Sequence, residues 1–115
     1  MDCCHNEKHL RIKEKFNNSI EYIETVEEVS RIFSLLGDFN RVKILLALME
    51  GELCVQHLCE VTGAKQSVTS QHLAKLKANK IVKCRKESNQ VLYTIADDHI
   101  YEIIRTALKH KNCKI

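Results

Sequence analysis

Cysteine and histidine each occur six times in this chain of 115 residues. A reducing compartment disfavours a disulfide framework, which raises metal binding or thiol redox chemistry as an explanation, beside small buried thiols and ordinary surface imidazoles. Two groups have suggestive spacing. Cys54 and His57 are three residues apart, one face of a helix if that segment is helical. Asp97, His99, His110 and Cys113 bracket the last apolar-periodic segment, and His110 and Cys113 are again three apart. Four further donors, Cys3, Cys4, His5 and His9, lie close to the N-terminus.

Geometry limits what these donors can do. His99 and His110 are about 16 Å apart along a helix rising ~1.5 Å per residue, so one helix cannot wrap one ion with all four C-terminal donors. Two such helices packed antiparallel across a dimer axis would set Asp97 and His99 of one copy beside His110 and Cys113 of the other. The result is two symmetric sites of mixed oxygen, nitrogen and sulfur donors, suited to a tetrahedral divalent ion of the Zn type. The Cys113 thiolate tilts such a site toward softer ions, with Cd, Co and Pb as alternatives. Without a metal, Asp97 would serve only as an N-cap and His110 as a residue favoured by the helix dipole. Cys54 and His57 supply two donors, and Cys3 and Cys4, with His5 or His9, are the candidates to complete that second site. Cys59 lies about 140° around its helix from Cys54 at ~100° per residue and does not share its face; Cys84 falls in a strand and is expected to pack. The alternative chemistry is a redox switch pairing Cys3 or Cys4 with another thiol. No pocket motif, glycine-rich loop or base–nucleophile constellation suggests an enzyme.

The elements that must position these residues are mostly helical. Proline is absent and glycine occurs only at Gly37, Gly51 and Gly63. Residues 1–19 are polar without a clear apolar period and are expected to form an N-terminal arm; residues 20–115 are expected to form one domain. Ile20, Ile23, Val26, Val29, Phe33 and Leu36 mark a first helix ended by Gly37. Asp38 can cap a second, burying Val42, Leu45, Leu46 and Met49 and stopping at Gly51. A short third helix, roughly Leu53 to Val61, turns its Val55, Leu58 and Val61 or Thr62 inward. After Gly63 a fourth runs from about Ser67 to Ala78 on Val68, Leu73 and Leu76. Two short helices joined by a glycine-containing turn, the second opening with Gln66, Ser67, Thr69, Ser70 and Gln71, form a helix-turn-helix pattern able to offer polar groups to base edges.

The period then changes. Ile81–Lys86 and Val91–Ile95 are rich in β-branched residues and flank Glu87-Ser88-Asn89-Gln90, a hairpin with asparagine in its turn. A final helix from Asp97 to about Lys111 carries Ile100, Ile103, Ile104, Ala107 and Leu108. The fold expected is therefore mainly α with a β-hairpin wing, a winged helix-turn-helix, with surplus apolar surface on the first and last helices for a homodimer.

Charge supports a nucleic-acid partner. Residues 64–90 hold seven basic residues (Lys65, Lys75, Lys77, Lys80, Lys83, Arg85, Lys86) and one acid, Glu87; that segment is +6 and the remainder −3. Such a dipolar layout suits one face meeting a polyanion, with Lys83, Arg85 and Lys86 of the wing near phosphates. The longest aliphatic run, Ile44–Met49, is far too short for a membrane span, and the N-terminus lacks the apolar core of a signal peptide. A soluble, cytoplasmic protein is expected.

Several of these residues together resemble the ArsR/SmtB family of bacterial metal-sensing repressors. They are Glu52-Leu53-Cys54-Val55, Leu58, Gly63, Ser67-Val68-Thr69-Ser70-Gln71-His72-Leu73-Ala74-Lys75-Leu76, Val82, Arg85-Lys86, Tyr93 and Asp97-Asp98-His99-Ile100. The similarity runs from about Val29 to His110. It implies a homodimer that blocks promoters of metal efflux or sequestration genes and releases operator DNA when metal binds. It also implies the intersubunit site at Asp97, His99 and His110, with Cys113 where the family usually has Glu or His. For the second site it implies arm ligands drawn from the other protomer. Cadmium- and lead-sensing relatives read Leu-Cys-Val-Cys, whereas this chain has Gln56 and then His57. Ser88 replaces a glycine common in the family's wing.

Overall fold

The computed structural model describes residues 6–17 and 19–113. Two compact units divide the chain, residues up to Ser34 and Leu35 onward. In the first, helix α1 spans Glu7–Asn17 and most of α2, Ile20–Leu36, follows. Helix α1 falls inside the polar segment expected to be an N-terminal arm, for which no clear apolar period marked a helix. Asn6 Oδ1 accepts the Lys8 backbone N–H at 2.7 Å and closes the helix start. The segment carries no helix-breaking residue, but its apolar side chains give no single stripe: at ~100° per residue Leu10 lies more than 100° from both Ile12 and Phe16. None of its residues is buried. Ser19 Oγ receives the Tyr22 N–H at 3.4 Å, and the Phe16 and Tyr22 rings tilt together at 4.5 Å.

The second unit begins with the buried Leu35 and contains α3 (Phe39–Leu48), β1 (Leu53–Cys54), α4 (Val55–Thr62), α5 (Gln66–Ala78), β2 (Val82–Glu87), β3 (Gln90–Ile95) and α6 (Asp98–Lys111). Asp38 caps α3 as expected, its Oδ2 accepting the backbone N–H of Asn40 and of Arg41, both at 3.1 Å. Gly63 ends α4 at φ 73°, its N–H donating to the Cys59 carbonyl at 2.8 Å. Only a residue without a Cβ takes that left-handed position freely, so the turn into α5 is set locally.

The core gathers Leu35, Ile44, Leu45, Leu48, Leu58, Leu73, Leu76, Ile81, Val82, Ile100 and Ile104. Of the alternatives Val61 and Thr62, the buried one is Thr62. The core otherwise differs from the periodicity reading: Val42 and Val68, expected inside, are exposed, while Ile44, Leu48 and Thr69 are buried. The two threonines are tolerated because their hydroxyls meet at 3.4 Å, and Thr62 Oγ1 also donates to Cys59 O and accepts from Ala64 N–H. Among the described residues no buried side-chain polar atom lacks a partner.

The wing is a three-stranded antiparallel sheet in the order β1-β3-β2. Its hairpin was expected; β1 was not, because Leu53-Cys54 was read as the first turn of the following helix. Leu53 pairs with Tyr93 and Cys54 with Leu92, while Arg85 pairs with Leu92 and Glu87 with Gln90. Ser88 stands in the turn at φ 54°. No helix among the described residues is long and apolar enough to cross a membrane.

Candidate DNA-binding face and metal-ligand pairs

Helix α5 is held by Leu73 and Leu76, which are fully buried, and this turns its N-terminal polar residues outward. Gln66, Ser67, Ser70 and Gln71 are exposed, and positions i, i+1, i+4 and i+5 share one helical face. Thr69, included in the DNA-facing set by its sequence position, is at 0% exposure with its hydroxyl on Thr62. Its side chain is a core contact, and the correction follows from helical phase: Thr69 lies on the side of Leu73 and Leu76. At its opening turn α5 borders a cleft of about 490 Å³ lined by Cys54, Val55, Gln56, Gln66, Gln90, Val91 and Tyr93.

One polar link ties α5 to the start of α3. Arg41 Nε donates to His72 Nδ1 at 3.1 Å, which assigns the His72 proton to Nε2, 4.0 Å from Asp38 Oδ2. Donation by the Arg41 backbone N–H, helped by the nearby Arg41 charge and the Asn40 N–H, holds the Asp38 carboxyl below its ordinary range.

On the wing, Lys83 and Lys86 are exposed. Arg85 is otherwise engaged: its Nε and Nη2 reach the Glu52 carboxylate at 2.7 and 2.8 Å, and Nη2 also reaches Glu87 at 2.9 Å. Glu52 thereby drops below the usual carboxylate range and Arg85 rises further above solution pH. The expectation of three wing cations near phosphates therefore finds one already satisfied by carboxylates. Position in the chain gave no signal for Glu52, which lies 33 residues before its partner.

The donor groups appear as pairs. Asp97 caps α6, its Oδ1 accepting the Ile100 N–H at 3.0 Å and standing 3.6 Å from His99 Nδ1. The His99 side chain is 93% exposed. At the other end of α6, His110 and Cys113 are exposed and joined through the Cys113 N–H to His110 O bond of 2.9 Å. His99 and His110 both lie within α6, about 16 Å apart along the helix at ~1.5 Å per residue. Cys54 Sγ lies 3.3 Å from His57 Nδ1, with the thiol buried and the imidazole exposed. Among the described residues no three His, Cys, Asp or Glu side chains converge on a common point. Cys3, Cys4 and His5 lie outside the described residues; His9 is exposed on α1. Cys59 and Cys84 are half-buried, and neither belongs to a donor pair.

Comparison with known proteins agrees with the fold. The family described as "Bacterial regulatory protein, arsR family" matches residues 38–83, from the α3 cap into β2. The cadmium resistance transcriptional regulatory protein CadC of Listeria innocua is 34% identical over 110 residues, covering 95% of this chain and 88% of that protein. A CadC homolog of Staphylococcus aureus is 36% identical over 85 residues, covering 73% of this chain and 70% of that protein. The crystal structure of NolR from Sinorhizobium fredii superimposes with a TM-score of 0.76 at 28% identity, over 84% of this chain and 96% of that one. An exposed polar recognition helix, a basic wing and these relatives lead to one assignment: the chain belongs to the ArsR/SmtB family of winged helix-turn-helix transcriptional regulators, DNA-binding proteins and not enzymes.

Proposed function

We propose that this regulator is a metal-responsive repressor that binds operator DNA as a homodimer and lets go when a divalent ion of the Zn type occupies sites shared between two chains. The observation that carries this reading is the division of donors along α6, with Asp97 and His99 at one end, His110 and Cys113 at the other, and the two histidines about 16 Å apart along the axis. Each pair is two donors short of a tetrahedral site, and an antiparallel second copy would supply them. The donor chemistry fits: one carboxylate, two imidazoles and one thiolate, with Asp97 spending one oxygen on the helix cap. When bound, the ion would join the ends of two α6 helices and favour one relative placement of the protomers. Tyr101 and Ile103, exposed on α6, and Ile23, Val26 and Phe33, exposed on α2, offer apolar surface for that pairing.

In this reading Gln66, Ser67, Ser70 and Gln71 meet base edges or backbone in successive major grooves about 34 Å apart. Lys83 and Lys86 neutralise phosphates. Cys54 and His57 form a second, softer site with Cys3 and Cys4 supplied by the arm of the second copy; Cd, Co and Pb are the alternative ions. Relatives named for cadmium resistance support a metal as effector. The test is a zinc titration of the protein bound to a duplex that the metal-free chain selects from a random pool. Zinc should weaken binding by about 5- to 150-fold, the usual range of allosteric coupling. Unchanged affinity would overturn the proposal, and release by peroxide in place of zinc would favour a thiol switch.

A further inference from the structure

Arg85 is the wing cation with the most charge-assisted bonds, and all of them are to the protein itself. Glu52 grips it at two points, 2.7 and 2.8 Å, in the fork geometry that fixes direction as well as distance. Glu87, at the end of the same strand, holds it at 2.9 Å. The strand register adds an independent constraint. Arg85 faces Leu92 on β3, and Leu92 faces Cys54 on β1, so the three side chains form one row across the sheet. Glu52 lies two residues before Cys54 and so on the same side. Glu52 precedes α4 and Glu87 borders the wing turn, so Arg85 spans the sheet from the helix-turn-helix side to the wing tip. A guanidinium beside two carboxylates also presents a phosphate with a local charge of −1.

We infer that Arg85 is a positioning residue: its grip on Glu52 sets the angle of the wing, so that Lys83 and Lys86 meet the DNA backbone while Arg85 itself touches no phosphate. This rests on the wing contacting DNA as proposed above and is independent of any metal.

Four forms of the full-length chain separate the possibilities: Glu52→Ala, Arg85→Ala, the double variant and, as a control, Lys83→Ala with Lys86→Ala. Each is titrated, without metal, against a 30-base-pair duplex (about three helical turns) selected by the wild type, at several salt concentrations. Positioning predicts that Glu52→Ala and Arg85→Ala weaken binding alike, by about three- to tenfold, as expected of an exposed but two-point pair. The double variant should be no weaker than either single one, and the salt slope should stay at the wild-type value. A phosphate contact predicts the reverse. Arg85→Ala would lower the slope by about 0.9 per protomer, and Glu52→Ala, which frees the guanidinium, would bind as well or better. That pattern, or wild-type affinity in both single variants, overturns the inference. The lysine control keeps the two readings apart: an unchanged slope there removes the wing from the DNA interface, whereas a reduced slope leaves Arg85 alone on trial. Thermal melts of each variant identify any loss of affinity that is merely unfolding.

Discussion

If each metal site takes Asp97 and His99 from one chain and His110 and Cys113 from the other, two inactive variants should repair each other. His99→Ala breaks the first half of every site in its homodimer, and His110→Ala breaks the second half. In a mixed dimer one site receives both damaged halves and is lost, while the other receives two intact halves. The structure makes this prediction sharp, because His99 and His110 lie about 16 Å apart along α6, beyond the reach of any ion bound at ~2.0–2.3 Å. Random exchange of equal amounts yields mixed dimers for about half the population, each with one of two sites, so zinc capacity should recover to about one quarter of wild type. The assay is equilibrium dialysis of zinc against each variant alone and against the mixture, after unfolding and refolding together so that subunits exchange. The Cys54–His57 pair must be silenced in all samples by Cys54→Ser. Recovery to about a quarter, with neither variant binding alone, is the expected result. No recovery in a mixture shown to contain mixed dimers would refute the shared site, as would full capacity in either variant by itself.

Four further outcomes follow from local geometry. Thr69→Val should leave DNA affinity within about twofold and cost under ~1 kcal/mol by thermal melting, since Thr62 keeps its bonds to Cys59 and Ala64. Ser70→Ala or Gln71→Ala should instead weaken DNA binding by about 1–3 kcal/mol in the same titration if either reads a base. Asp38→Ala should cost about 1 kcal/mol at neutral pH through loss of the α3 cap. Because the folded carboxyl lies below its ordinary value of 3.8, its contribution is complete above that value and fades as pH falls through the folded value. The gap between wild type and Asp38→Ala should therefore close in acid melts, and a gap that persists there would contradict the cap's role. Ser88→Gly should raise stability by about 0.5–1 kcal/mol in urea, relieving a left-handed φ of 54°; a loss would show that the serine side chain holds the turn.

The features legible in the sequence are those whose cause lies within a few residues. Asp38 announced a helix start because its cap bonds reach only to Asn40 and Arg41, and Gly63 announced a turn because its own backbone demands φ 73°. The hairpin was legible for the same reason. What escaped depends on partners far along the chain. Strand β1 has two residues, too few for a period, and exists because Leu53 and Cys54 pair with Tyr93 and Leu92. Thr69 looked solvent-facing by type, and only Thr62, seven residues earlier, makes its burial affordable in hydrogen-bond terms. Arg85 looked like a phosphate contact because basic residues surround it, while the carboxylate that holds it comes 33 residues before.

The candidate metal centre is a stronger case of the same limit, because in the proposed reading its missing donors come from a second copy of the chain. Residue types and short spacing made each pair visible, and the pairs occur: Cys54 with His57 at 3.3 Å, and Asp97 with His99 at 3.6 Å. A pair leaves half of a tetrahedral ion to water, so tight binding must wait for the second copy. Linkage then makes a demand that residue spacing alone does not. Whatever factor dimerisation adds to zinc affinity, zinc must add to dimer affinity. A repressor built this way couples three equilibria, metal, partner and DNA, and metal that strengthens the dimer can still release DNA only by favouring a dimer geometry in which the two α5 helices no longer match the groove spacing.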